Sequence, residues 1–251
     1  MKTIEIVVHC YAEKHPVFAK LLTAQLSSLL LWPPKCSVRM TVFTAADDPT
    51  WQVVQSDLVM KLWSLPLPVR VVTFAADKSL LFRRSILRNK SAKESTADVV
   101  WFCDADYVFG EGCLDALADA NLPARLCYPR EYQVHRSHQI GDAEIERVIP
   151  GELFRPDPTL FEPSKVGFAI GGLQITTGDN ARERGYLDGS EKWQRPVDPE
   201  KGFQDTKEDK AYRMEMGGSS PISLPNLYRL RHSQSAFQTA ESRLAQTAGK
   251  P

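Results

Sequence analysis

Two aspartates, Asp104 and Asp106, follow directly on the apolar run Val99-Val100-Trp101-Phe102-Cys103. In an extended chain residues two apart point to the same side, so this D-x-D pair can present both carboxylates to one point. Like charges held that close repel unless a cation or a proton neutralises them. An all-oxygen donor set suits Mn2+ or Mg2+, which keep positions open for water and phosphate oxygens. A metal so held can stabilise the charge that a departing diphosphate gains. A D-x-D also occurs as a solvated turn after a strand. What favours the site reading here is the pair's place, at the end of the most apolar strand.

A second acidic group lies far downstream. Asp205, Glu208 and Asp209 are spaced i, i+3 and i+4, so one helical face carries three carboxylates. Such a group can supply the base that takes a proton from an attacking hydroxyl. It also favours a transition state with oxocarbenium character. Asp209 is the first choice of base and Asp205 the second. The alternative is a solvated acidic helix start, which the macrodipole favours. Gly171-Gly172 either lets the backbone approach a ligand closely or marks a bulge. His135 and His138 lack the i, i+4 spacing of a helical zinc pair.

The elements that must position these residues are legible in the first half. Residues 4–10, 37–44, 69–74 and 99–103 are β-rich runs. Between the first two, Val17, Leu21, Leu22, Gln25, Leu26, Leu29 and Leu30 recur at helical steps until Pro33-Pro34 stops them. Further helices are expected over 51–63 and 78–96. Repeated βα units imply right-handed crossovers and a mostly parallel sheet. Ligands of such sheets sit outside the carboxyl ends of the strands. The loops after Cys10, Thr44, Phe74 and Cys103 should therefore converge on one site. In the second half, 126–134, 168–176 and 228–232 read as strands and the Pro-rich 150–163 as an irregular loop. A helix over 205–216 is closed by Gly217-Gly218. A single domain over 1–232 and a polar tail over 233–251 are expected.

Composition narrows the function. The 251 residues are 43% hydrophobic and 25% charged, with 31 Lys+Arg against 31 Asp+Glu. That balance argues against a nucleic-acid binder, which needs a basic surplus. Cys10, Cys36, Cys103, Cys113 and Cys127 are odd in number and form no C-x-x-C pair, which argues against a disulfide framework or zinc knuckle. The longest apolar stretch, 17–32, is broken by Lys20, Gln25, Ser27 and Ser28, so no transmembrane segment is expected. The apolar run from Ile4 to Val8, broken by Glu5, is too short for a secretory core and is expected to be a strand. A cytoplasmic location is the expectation.

Arg88-Asn89-Lys90, followed by Ala97-Asp98-Val99-Val100-Trp101-Phe102-Cys103-Asp104-Ala105-Asp106, resembles the core of the family 2 glycosyltransferases of the GT-A fold. In that family an RN on a helix precedes a strand ending in D-x-D. The resemblance runs to about Cys113 and recurs in fragments later. It implies an α/β, Rossmann-like, mostly parallel central sheet flanked by helices, with a smaller mixed sheet on the acceptor side. Residues 1–113 would bind a nucleotide-diphosphate sugar, expected to be a UDP-sugar. Residues 114–232 would bind a carbohydrate or other hydroxyl-bearing acceptor.

By the same resemblance, Asp104 and Asp106 hold Mn2+ or Mg2+, with Ala105 between them against the donor and His232 completing the coordination. His9, Cys10 and Tyr11 would touch the nucleoside. Asp47 or Asp48 would meet the base, although the usual DdgS pattern is displaced here to TAADD and either acid could instead cap a turn. Arg88, and less so Asn89, would reach a phosphate or the donor sugar. Gly171 and Gly172 would lie near donor sugar and acceptor. Glu208-Asp209 resembles the ED motif of inverting members, which implies an Asp base and inversion. The nearest rival, a sugar-nucleotide nucleotidyltransferase, wants a Gly-rich phosphate loop after the first strand, and the loop HCYAEKHP has no glycine. A non-catalytic nucleotide-sugar-binding module would not need both the D-x-D and the acidic helix.

Overall fold

The computed structural model describes residues 1–67, 69–201 and 207–233. The first half alternates strands and helices: β1 (Thr3–His9), α1 (Val17–Leu31), β2 (Ser37–Thr44), α2 (Pro49–Val54), α3 (Asp57–Trp63), β3 (Arg70–Ala75), α4 (Lys78–Leu81), α5 (Arg84–Glu94) and β4 (Val99–Cys103). The second half is built from shorter pieces: β5 (Tyr107–Phe109), α6 (Cys113–Asp119), β6 (Cys127–Pro129), β7 (Glu131–His135), α7 (His138–Glu146), β8 (Phe161–Lys165), β9 (Gln174–Thr177), α8 (Gly178–Arg184), α9 (Glu208–Glu215), β10 (Ser220–Ile222) and β11 (Leu227–Arg229).

Seven strands form one sheet in the order β10-β6-β9-β4-β1-β2-β3. The β4-β1-β2-β3 part is parallel, and β9 runs antiparallel to both β4 and β6. A smaller mixed sheet has the order β5-β11-β7-β8. This is the α/β architecture the sequence implied. Its centre is β4, whose five residues are all buried, because helices cover both faces of a parallel sheet. Register puts His9 beside Phe43 and Phe43 beside Phe74, and the three rings stack at 5.1 and 5.3 Å. The carboxyl ends of β1 to β4 thus align along one edge.

Helix α1 is buried along most of its length. Its polar breaks are internal contacts rather than a solvated face. Thr23 Oγ1, Ser27 Oγ and Ser28 Oγ accept bonds from the backbone N–H groups of Gly151, Phe154 and Phe109. Buried loop amides need such partners. Among the described residues no helix is long and apolar enough to cross a membrane.

Several elements differ from expectation. The helix expected over 51–63 breaks in two where Ser56 adopts extended backbone before α3. The helix over 78–96 breaks at Arg83, which is not helical (φ −112, ψ 79). The run 126–134 is two strands, and the chain changes sheets at Arg130. Strand β9 is confined to Gln174–Thr177, because 168–173 is an irregular turn around the glycine pair. The Pro-rich loop ends in strand β8, where Pro163 sits on a strand that, among the described residues, pairs with β7 alone.

Candidate active site

The D-x-D does not continue β4. The strand stops at Cys103, and Ala105 and Asp106 lie in a turn whose Tyr107 N–H reaches back toward Asp104 O at 3.4 Å. The extended geometry expected of the pair is therefore replaced by a turn. Gln25, buried in α1, donates to Asp104 O at 3.0 Å and fixes the turn from below. Gly172 fixes it from the side: a Cβ there would lie 2.4 Å from Asp104 N. Close approach of backbone to backbone thus explains this glycine.

Two arginines one turn apart on α5 face the turn. Arg84 Nη1 and Arg88 Nη2 lie 3.1 and 3.3 Å from Asp104 Oδ1. Both also reach α9. Arg84 Nε donates to Glu208 Oε1 at 2.8 Å, and Arg88 Nη1 to Asp209 Oδ1 at 3.1 Å. Arg88 is fully buried and also bonds Gln174 Oε1 and the Tyr186 hydroxyl, at 3.2 and 3.0 Å. Burial works against the Arg84 charge, but Glu208, Asp209 and Asp104 outweigh it and hold its pKa above the ordinary value. Burial likewise pushes the Tyr186 hydroxyl well up, so it stays a neutral donor.

Asp104 Oδ2 and Asp209 Oδ2, the latter with Arg84 Nη2 at 3.7 Å, lie beside the same glycine. Gly171 has φ +38, and a Cβ there would lie 3.0 Å from Asp104 Oδ2 and 3.9 Å from Asp209 Oδ2. Gly171 therefore brings the backbone up against an acid of the D-x-D turn and close to an acid of α9. Glu208, by contrast, is buried against Arg84 and holds that arginine in place. Asp205 lies outside the described residues.

Asp106 faces the second sheet. Its Oδ2 accepts from Arg229 Nε at 2.8 Å, and its Oδ1 is buried with no hydrogen-bond partner. An orphaned buried carboxylate oxygen on one acid and an open oxygen on the other fit a hard divalent cation that takes its remaining ligands from water and phosphate. Among the described residues, no three His, Cys, Asp or Glu side chains converge to hold a metal. His232 instead packs edge-on against Phe18, with centroids 5.8 Å apart.

The rim after β1 and β2 carries the residues expected to meet the nucleoside. His9 sits beneath the arginines with both ring nitrogens buried and without hydrogen-bond partners. Burial, then the charges of Arg88 and Arg84, lower its pKa well below the usual value, so the ring is neutral. Cys10 is buried, its Sγ 3.2 Å from Phe18 O. Tyr11 packs edge-on against Phe82 with Lys78 over its ring. Asp48 is fully engaged: its oxygens accept from the amides of Ala12, Glu13 and Thr50 and from Thr50 Oγ1. It ties the β1 loop to the start of α2. Asp47 is exposed and pairs with Lys78 at 2.9 Å. Asn89 points away from the turn, bonding Asp188 and the Tyr186 amide. Ala105 is buried within the turn.

Arg84, Gln174, Tyr186 and Arg229 join the site without having been singled out in the sequence. Arg84 could have been found as the basic residue one turn before Arg88. The other three depend on β9, α8 and β11 meeting the turn, which no local pattern announces.

No family model matches the sequence, and no curated protein matches it. Solved structures do. A galactosyltransferase, LgtC, in complex with donor and acceptor sugar analogues, is similar over 99% of this chain and 95% of its own, at 12% identity and TM-score 0.50. The glycosyltransferase GlyE of Streptococcus pneumoniae TIGR4 matches over 88% of this chain and 45% of its own, at 15% identity and TM-score 0.47. An inositol-1-phosphate CTP transferase from T. maritima matches over 97% and 94%, at 13% identity and TM-score 0.45. The chain has the GT-A fold of glycosyltransferases. At these identities the likeness is one of fold.

Proposed function

We propose that this chain is a glycosyltransferase that moves a sugar from a nucleoside-diphosphate donor, a UDP-sugar, to an acceptor hydroxyl with inversion. The observation that carries the reading is the meeting at Gly171 of an acid of the D-x-D turn, Asp104, with an acid of α9, Asp209. A sugar bound at this edge would have the metal-holding D-x-D turn on the side of its leaving group and Asp209 on the side of its attacker. Asp209 accepts the proton of the acceptor hydroxyl, whose oxygen bonds to the anomeric carbon. The bond from that carbon to the diphosphate breaks, and its electron pair leaves on the phosphate oxygen. Arg88 and Tyr186 hold Asp209 in place through its Oδ1, and its Oδ2, 3.7 Å from Arg84 Nη2, is the oxygen that would take the proton.

Asp104 and Asp106 would hold Mn2+ or Mg2+, which when bound supplies Lewis-acid stabilisation of the diphosphate. Four acids (Asp104, Asp106, Glu208, Asp209) face three arginines (Arg84, Arg88, Arg229) in this region. Once the doubly charged diphosphate arrives, that balance favours one more cation.

The test is incubation with a panel of nucleotide sugars and Mn2+, following slow donor hydrolysis and transfer to simple glycosides. Asp106→Ala should abolish Mn2+-dependent turnover, a loss of about 100-fold or more, as expected when an electrostatic stabiliser is removed. Unaltered turnover in that variant refutes the assignment. Release of pyrophosphate from a nucleoside triphosphate and a sugar phosphate would point instead to nucleotidyl transfer.

A further inference from the structure

The three arginines at the site are not held alike. Arg88 is fully buried and Arg84 is 13% exposed, whereas Arg229 is 40% exposed. Its position follows from strand pairing. β11 runs antiparallel to β5 with Arg229 opposite Tyr107, the residue after Asp106. Leu230 N–H donates to Asp106 O at 2.8 Å, so the backbones of the two elements are locked together and only the side chains can part. The ion pair itself is single-point: Arg229 Nε meets Asp106 Oδ2, without the two-bond fork that makes an arginine–carboxylate pair strong and rigid. The guanidinium lies 5.7 Å from the Tyr107 ring centre, an aromatic face it can rest on without the carboxylate.

We propose that Arg229 is the stand-in counter-ion of Asp106 in the donor-free protein, yields that carboxylate when a divalent cation binds, and thereby sets the affinity of the metal site. The inference rests on the metal reading above. A guanidinium held at 2.8 Å neutralises the charge that would attract the cation, and its own charge repels the cation at short range. The metal must therefore displace it or bind weakly beside it. Asp106 Oδ1, buried and unpartnered, is the acceptor already waiting. Single-point contact and exposure make Arg229 the member of the cluster that can leave. Arg84 and Arg88 each bridge the D-x-D turn to α9 and cannot let go without opening both.

The experiment is a Mn2+ titration without nucleotide, counting free Mn2+ by electron paramagnetic resonance, on wild type, Arg229→Gln, Arg229→Met and Arg229→Lys. Glutamine keeps a donor and removes the charge; methionine keeps the apolar stem; lysine keeps the charge. Removing a competing cation should tighten Mn2+ binding at least about threefold in the glutamine and methionine variants, with the lysine variant near wild type. Thermal melting identifies a variant that does not fold, and the other uncharged variant then carries the result. Unchanged or weaker Mn2+ binding in the uncharged variants, with wild type binding normally, overturns the inference and leaves the metal reading intact. Absence of Mn2+ binding in wild type and variants alike overturns both.

Discussion

Two clusters of paired opposite charges flank the carboxyl edge of the sheet, and their ion-pair distances overlap. In the inner one, Arg84 and Arg88 join Asp104, Glu208 and Asp209 at 2.8 to 3.7 Å. In the outer one, Lys78 meets Glu13 and Asp47, each at 2.9 Å. What separates them is water. The inner guanidiniums are shielded and shared between elements, so removing one leaves a buried charge without compensation. The outer lysine is solvated, and its partners lose little when it goes. Overlapping distances therefore carry unequal weight, and the inner cluster should govern both folding and the placing of Asp104 and Asp209.

The sharpest way to break that comparison is Arg88→Ala. It leaves Asp104 and Asp209 with one arginine between them and strips Gln174 and Tyr186 of a donor. Breaking a buried pair on one side costs about 3–5 kcal/mol, measurable by urea unfolding. Arg88→Lys should recover only part of it, because one ammonium cannot span four acceptors held in a fixed fork. A loss under about 1 kcal/mol would mean that the inner cluster is as solvated as the rim.

A smaller effect separates the clusters by pH. His9, under the inner arginines, has its pKa lowered well below the ordinary value by burial first and by Arg88 and Arg84 second. His135, stacked on Phe161, is lowered to about 4 by burial. Unfolded histidines take up a proton near pH 6.5, before these folded ones do. Stability should therefore be flat above about pH 6.5 and fall as pH drops toward 4, the sign expected of depressed folded pKa values. The outer cluster does not contribute there: the Lys78 bond lowers Asp47 and the Asp47 and Glu13 bonds raise Lys78, which moves both titrations out of this window. Urea midpoints at successive pH values check the slope, and His9→Gln should flatten it. An imidazole signal of His9 titrating near pH 6.5 by NMR would contradict the burial of its nitrogens.

The comparison also explains what the sequence could reveal. Strands β1 to β4 and the α1 stripe were legible because burial on both faces leaves continuous apolar runs and helical periodicity. The Asp104-Ala105-Asp106 turn was legible because it ends the most apolar of those strands. Its geometry was not, since the turn is made by Gln25 from α1 and Gly172 from the far side of the fold. The fate of Glu208 was hidden for the same reason: its spacing with Asp209 reads as one acidic face, yet Arg84 takes Glu208 at 2.8 Å and Asp209 only at 3.7 Å. Strands β5, β10 and β11, of three residues each, are too short to show a period. They exist because of what they pair with.

The rim offers the smallest and most specific test. Asp47 and Asp48 are neighbours in sequence, and only the structure separates them. Asp48 is spent on the amides of Ala12, Glu13 and Thr50, a loop-to-loop tie with no acceptor left for a base. Asp47 is exposed and pairs with Lys78, whose ammonium also lies 5.5 Å from the Tyr11 ring centre. If the nucleoside lies along this rim, Asp47 is the acid that meets its base. Asp47→Ala should leave the melting temperature unchanged, as surface pairs contribute little, while weakening UDP binding about two- to fivefold by calorimetry. Undiminished UDP affinity would move the nucleoside off this rim.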